Sequence, residues 1–288
     1  MPYPSHLLIG KLNICGLSYQ DAGRIVAETR MRFSRIVPTE YELHQYIGRI
    51  IPESNRSAQE KFKTIVEYER ARREEENTPP LIVILEGSSA TGKSMLSLPI
   101  IAGMGTTRIL STDSVRQVLR SIYSSEDYPE LFCHTYQAHK FALEGPEHLE
   151  PTVRGFIAQV QRMTGTIKMT IGRYLSEGAE AVVEGVHILP GSLQHLGPGI
   201  LELLVHPSSA LHREMFMSKH VAGGLKSVSA QFAIREKEFD AARVIQEFML
   251  SEATRNEVRI IEFVDYASAM PVLFESILTK MDELTRLS

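Results

Sequence analysis

The 288-residue chain contains no tryptophan and only two cysteines, Cys15 and Cys133. Two thiols, with no Cys/His spacing of the zinc type, exclude a disulfide framework and a structural zinc site. Aromatic residues are few, at 7%, and they are not interleaved with basic tracts in the way a nucleic-acid track requires. Positive charge is not in excess: 31 Lys and Arg face 35 Asp and Glu, a formal net charge of −4. No global field draws such a chain onto a phosphate backbone or an anionic membrane, so any anion site must be local. No apolar run approaches a membrane span, and the apolar core of MPYPSHLLIGKLN is too short for a signal peptide. Repeats and low-complexity tracts are absent. The expectation is a soluble cytoplasmic protein without nucleic-acid or membrane partners. The remaining composition, 43% hydrophobic and 23% charged, is that of an ordinary globular protein. Its length suits one large α/β domain with an accessory piece, or two domains.

The most informative stretch is LIVILEGSSATGKS, Leu81 to Ser94. An Ile/Val-rich run reads as a strand buried on both faces. Gly87, Gly92, Lys93 and Ser94 then fall in the spacing G-x-x-x-x-G-K-S, the phosphate-loop pattern. Glycine lets successive backbone N–H groups turn toward an anion, and the helix that follows adds its positive end. The spacing therefore assigns Gly87, Ser88, Ser89, Ala90, Thr91, Gly92, Lys93, Ser94 and Met95 to a nucleotide-phosphate cradle. Lys93 reaches the outer phosphates, and the Ser94 hydroxyl is a ligand for Mg²⁺.

Residues 1–79 read as helices without strands. Gly16 caps the first of these, Ser18 opens the second, and Thr39 with Glu42 forms a capping box before Leu43, Ile47 and Ile50. Ser57 and Glu60 repeat the pattern. The charge-rich ERARREEEN reads as a solvated connector, and Thr78-Pro79-Pro80 stops the helix. From residue 80 to 288 strands alternate with helices. Strands are expected at 81–86, 107–111, 181–184, 200–206 and 258–264. The LFCHTYQAHKFAL segment reads as helical, and Gly223-Gly224 as a hinge. The fold class is therefore α/β, a mostly parallel sheet with helices on both faces, preceded by an all-helical region.

In such sheets ligands bind beyond the carboxyl ends of the strands. Asp113 and Arg116 follow the second strand. Asp113 is placed to accept a proton from an acceptor hydroxyl, to hold Mg²⁺ through water, or to cap a helix; Arg116 is placed to bind a substrate phosphate through its forked donors. Glu184, at the end of the third strand, is a candidate for Mg²⁺ or its water shell, beside Ser94. His187, His134 and Tyr136 are polar enough to line an acceptor pocket. Between about 206 and 255 the chain is basic in spots. Arg213, Arg235 and Arg243 are the candidates for a lid arginine that neutralises the moving phosphoryl group.

Taken together, TDSVR (Thr112 to Arg116), EGVHILPG (Glu184 to Gly191), the His212-Arg213 pair and FDAARVIQEF (Phe239 to Phe248) resemble the 2-phosphoglycerate kinase family from about Leu81 onward. HTYQA, His134 to Ala138, is similar to a polar segment of that family, with His134-Thr135 in place of a serine pair. The resemblance implies a phosphate-loop kinase fold, ATP and Mg²⁺ as cofactors, and a small phosphorylated acceptor, 2-phosphoglycerate, converted to 2,3-bisphosphoglycerate. Gluconate, a nucleoside or a sugar nucleotide remain alternative acceptors, and a non-catalytic nucleotide switch a third reading. The N-terminal helices sit where the family carries an ATP-cone-like region, without its opening strand pair. A homo-oligomer is open.

Overall fold

The structure, a computed structural model, describes residues 4–75, 77–223 and 231–287. Four helices come first: α1 (Ser5–Ile14), α2 (Tyr19–Arg32), α3 (Glu40–Ile50) and α4 (Arg56–Glu74). Their starts follow local chemistry. Ser18 accepts from Asp21 N–H, and Thr39 and Glu42 form the reciprocal box that the sequence calls for. At α4 the cap is Asn55, whose side chain accepts from Ala58 N–H, and not Ser57. Asn55 wins because it ends the one-turn helix Glu53–Asn55 and is the last residue off helical geometry before α4.

Strand and helix then alternate: β1 (Ile82–Glu86), α5 (Lys93–Met104), β2 (Arg108–Ser111), α6 (Thr112–Ile122), α7 (Pro151–Ser176), β3 (Ala181–Gly185), β4 (Ile200–Pro207), α8 (Ser209–Gly223), α9 (Phe232–Arg255), β5 (Arg259–Phe263) and α10 (Tyr266–Arg286). Gly223 is the last described residue of α8; Gly224 of the expected hinge and Ser229, where the next helix is expected to begin, lie outside the described residues. The segment expected to be helical after α6 is instead two short 3-10 turns, Pro129–Phe132 and Thr135–Lys140. Arginines of α6 supply the reason. Arg116 donates to Cys133 O, and Arg120 to Leu131 O, so these carbonyls are satisfied from outside and hold the chain off an α-helical path.

All four strand pairings are parallel, in the order β2-β3-β1-β4-β5. The central β1 is fully buried, which explains why its sequence runs apolar without alternation. Leu81, Val83 and Leu85 join one core with α1 to α5 and α10, whereas Ile82 and Ile84 join a second with α6 and α7. The first of these cores is continuous from the N-terminal helices to the sheet: Leu8, Leu12, Leu43 and Phe62 belong to the same cluster as Leu96 and Ile277. A third cluster, under α8 and α9, holds Leu204, Phe216, Phe239 and Ile245. Each buried aliphatic side chain contributes roughly 1.5–3 kcal/mol, so this layered core fixes the strand ends rigidly. Among the described residues no helix is long and apolar enough to cross a membrane.

Candidate active site at the carboxyl ends of the strands

The phosphate loop leaves β1 at Gly87 (φ +146°), passes Ala90 (φ +65°) and enters α5 through Gly92 (φ +94°). A Cβ on Gly87 would stand 2.8 Å from Thr91 Oγ1 and 3.0 Å from Val205 O. Glycine is required there by both the turn and the close approach. Ser89 to Met95 line a cleft of about 350 Å³, and Asp113 and Glu184 line the same cleft from β2–α6 and β3. Gly185, Val186, Met215, Ser218 and Tyr266 complete it, and none of the last three is marked by a local motif.

Lys93 is almost buried, and its Nζ donates to Ser88 O at 2.7 Å and Thr91 Oγ1 at 3.1 Å. The ammonium rests on its own loop, beside the amides of the cradle. Ser94 Oγ donates to Glu184 Oε2 at 3.0 Å. These two oxygens form a hard donor pair at the mouth of the loop, which fits Mg²⁺ better than any soft metal. Asp113 lies in the first turn of α6, where the helix dipole favours an anion. It is not the cap: that position is Ser111. Arg116 Nη2 donates to Asp113 Oδ1 at 2.8 Å, while Nη1 is tied to Cys133 O at 2.9 Å. A buried guanidinium thus sets the position of a carboxylate that is itself open to the cleft.

Gly185 permits this arrangement. A Cβ there would meet Thr112 Oγ1 at 1.8 Å, so only glycine lets the start of α6 lie against the end of β3. Thr112 Oγ1 and Thr135 Oγ1 bracket His187, at 2.9 Å from Nδ1 and 3.2 Å from Nε2. His187 is 1% exposed, and burial, aided by Arg116, pulls its pKa down to about 3. It is a neutral strut between α6, β3 and the 3-10 turn, which corrects its assignment to the acceptor pocket. Both ring nitrogens are used, and it does not line the cleft.

The other expected residues fall elsewhere. His134 stacks on Tyr136 at 5.1 Å, and Tyr136 meets Phe216 edge-on. Tyr136 lines a neighbouring cleft of about 470 Å³ between the Thr135–Lys140 turn and α9. Of the three lid arginines, none lines the phosphate-loop cleft. Arg213 pairs with Glu236, Arg243 holds Pro207 O and Glu247, and Arg235 is buried over the Phe216 ring, donating to Phe216 O. Arg235 is a packing residue here; the mixed charges of α8 and α9 gave no sign that Phe216 would cover it.

Sequence reading also passed over Glu86. It ends β1 opposite Gly185 and Leu204, is fully buried, and neither carboxyl oxygen has a hydrogen-bond partner among the described residues. Burial first, and Glu202 second, raise its pKa well above the ordinary carboxylate value. The folded acid keeps its proton to higher pH than the unfolded chain does. Its contribution is fully present below the unfolded pKa of about 4.3 and is lost as pH rises above that. Glu86→Gln is therefore expected to stabilise the protein, by a margin that widens from pH 5 to pH 8. While the folded acid stays protonated the slope approaches about 1.4 kcal/mol per pH unit. Denaturant melts at the two pH values check this; a margin independent of pH would refute it.

The parallel sheet, the loop after its central strand and the carboxylates beyond its neighbours define the phosphate-loop α/β fold with a candidate nucleotide cleft. No protein-family model matches the chain. The chain is similar over nearly its whole length to curated archaeal proteins named 2-phosphoglycerate kinase. That of Pyrococcus horikoshii is 25% identical, covering 99% of this chain and 93% of its own length. That of Thermococcus kodakarensis is 22% identical, covering 99% and 95%. The similarity thus takes in the N-terminal helices, beyond the Leu81 boundary at which the motifs begin. Among solved structures, a Thermus thermophilus protein superposes with a TM-score of 0.44 at 14% identity, over 70% of this chain and 97% of its own; a likeness that slight carries no argument.

Proposed function

We propose that the protein transfers the terminal phosphoryl group of ATP to the free hydroxyl of 2-phosphoglycerate, giving 2,3-bisphosphoglycerate and ADP. The observation that carries the reading is the placement of Lys93 and Asp113 in one cleft, with the Ser94–Glu184 oxygen pair beside them. The names of the archaeal relatives support the choice of acceptor.

In this reading the loop amides and Lys93 hold the nucleotide phosphates by charge and direction. Ser94 and Glu184 would hold Mg²⁺, which when bound neutralises phosphate charge. Asp113 accepts a hydrogen bond from the acceptor hydroxyl and takes its proton as the new O–P bond forms and the nucleotide P–O bond breaks. Arg116, itself buried and not among the residues lining the cleft, keeps that carboxylate aimed through its Nη2 donor, so its expected bond to an acceptor phosphate is not part of this reading. Arg213 and Arg243 are the remaining candidates for the transferring group, each now paired with a glutamate. The helical region 1–79 and the kinase region 80–288 share one core, so we treat them as one working unit.

The test is ADP release with ATP, Mg²⁺ and a panel of acceptors. ADP formation should rise on adding 2-phosphoglycerate and not on adding glycerate, which lacks the phosphate. Stimulation by gluconate or a nucleoside, with none by 2-phosphoglycerate, would reassign the acceptor. Nucleotide binding with no turnover on any acceptor would favour the switch.

A further inference from the structure

Phe239, Ala242, Gln246, Met249 and Ala253 run at intervals of three and four down the buried side of α9. Gln246 is the only amide in that stripe, and it is 0% exposed. A primary amide in an apolar seam is costly unless both of its ends are used. Both are. Oε1 accepts the Ser88 backbone N–H at 2.7 Å. Nε2 donates to Val205 O on β4 at 3.1 Å and lies 3.1 Å from His206 Nδ1.

Two peptides further along the loop, Ser89 O is 2.8 Å from Nε2 of His212 on α8. His212 is also 0% exposed. Because a carbonyl only accepts, the imidazole carries its proton on Nε2 and donates. Between these two anchors lies the Ser88 carbonyl, which accepts the Lys93 ammonium. Three successive peptide units of the phosphate loop are thus each fixed by side chains: Gln246 on the first, Lys93 and Thr91 on the second, His212 on the third. The loop has no ladder of its own to hold it, so these side chains decide where its amides point.

We propose that Gln246 and His212 are positioning residues for the nucleotide phosphates. They clamp the loop from α9 and α8, and so set both the amide cradle and the resting place of Lys93. The proposal rests on the reading of the cleft as a nucleotide site. It also gives FDAARVIQEF and the His212-Arg213 pair a physical role, because the residue of each motif that reaches the loop is its buried polar one.

The experiment measures ATP dissociation constants by calorimetry, KM for the acceptor, and melting of the ligand-free protein. The variants are Gln246→Met, His212→Leu, His212→Gln and Lys93→Ala. Gln246→Met and His212→Leu should each weaken ATP at least tenfold and leave the acceptor KM within about twofold. His212→Gln, whose amide nitrogen reaches as far as Nε2, should recover most of the loss. A merely structural link would lower the melting temperature and leave ATP affinity within twofold, which overturns the proposal. If Gln246→Met does not fold, the His212 pair decides: ATP bound equally by His212→Leu and the parent protein overturns it. ATP affinity unchanged in Lys93→Ala removes the nucleotide reading itself, and the proposal with it.

Discussion

Replacing Lys93 by alanine is expected to lower kcat on the order of 10²–10³-fold or more, the cost of removing one charged donor from a pre-organised phosphate site. The protein should stay folded. Within the loop Nζ has two partners, Ser88 O and Thr91 Oγ1. When it is removed, Thr91 Oγ1 still donates to Ser88 O at 3.2 Å, so the carbonyl is not orphaned. Each lost hydrogen bond to the ammonium is worth roughly 1.5–3 kcal/mol, and the loss is offset because a charge no longer has to be buried. Lys93→Arg should not rescue, because a planar fork cannot occupy the place of a compact ammonium between two oxygens of a tight loop. Steady-state ADP release and a thermal melt on the same preparations check both halves. A variant that keeps a tenth of the parent kcat would show that Lys93 is not the phosphate cation.

The phosphate loop was legible in the sequence because its chemistry is local. Gly87, Gly92, Lys93 and Ser94 lie within eight consecutive positions, and each is demanded by a turn, an approach or a charge. Asp113 and Glu184 were legible one step further off, through the rule that parallel sheets put their ligands beyond the strand ends. Both do line the cleft. What local pattern could not supply was the company each polar residue keeps. His187 looked like a pocket residue until Thr112 and Thr135 were seen to occupy both its nitrogens. Arg235 looked like a lid arginine because its neighbours in sequence are charged, while its neighbour in space is the Phe216 ring. Gln246 carried a signal that can be stated: one amide centred in an otherwise apolar stripe of a helix must have partners on another element. Its partners, Ser88 and Val205, are 158 and 41 residues away, and no spacing rule reaches that far.

Asp113→Asn separates the two roles that this residue could have on sequence alone. Asparagine caps a helix as well as aspartate does, so a capping role predicts little change. The structure already argues against capping, since Ser111 holds that position. A proton-accepting role predicts that kcat falls by roughly 10²–10⁴-fold, with the ATP dissociation constant within about threefold of the parent value. The geometry should survive the exchange. The Asn carbonyl oxygen can still accept from Arg116 Nη2, and Arg116 keeps its bond to Cys133 O. The Asp113 side chain is 62% exposed, so losing its charge beside Arg116 costs at most about 1 kcal/mol. Stability, nucleotide affinity and the shape of the cleft are then all held nearly constant, while the one group able to take a proton from the acceptor hydroxyl is removed. Measuring kcat at saturating ATP and acceptor, with ATP affinity by calorimetry on the same protein, isolates that group. An unchanged kcat would leave Asp113 as a positioning anion for Arg116 and send the search for the proton acceptor to Glu184, the other carboxylate lining the same cleft.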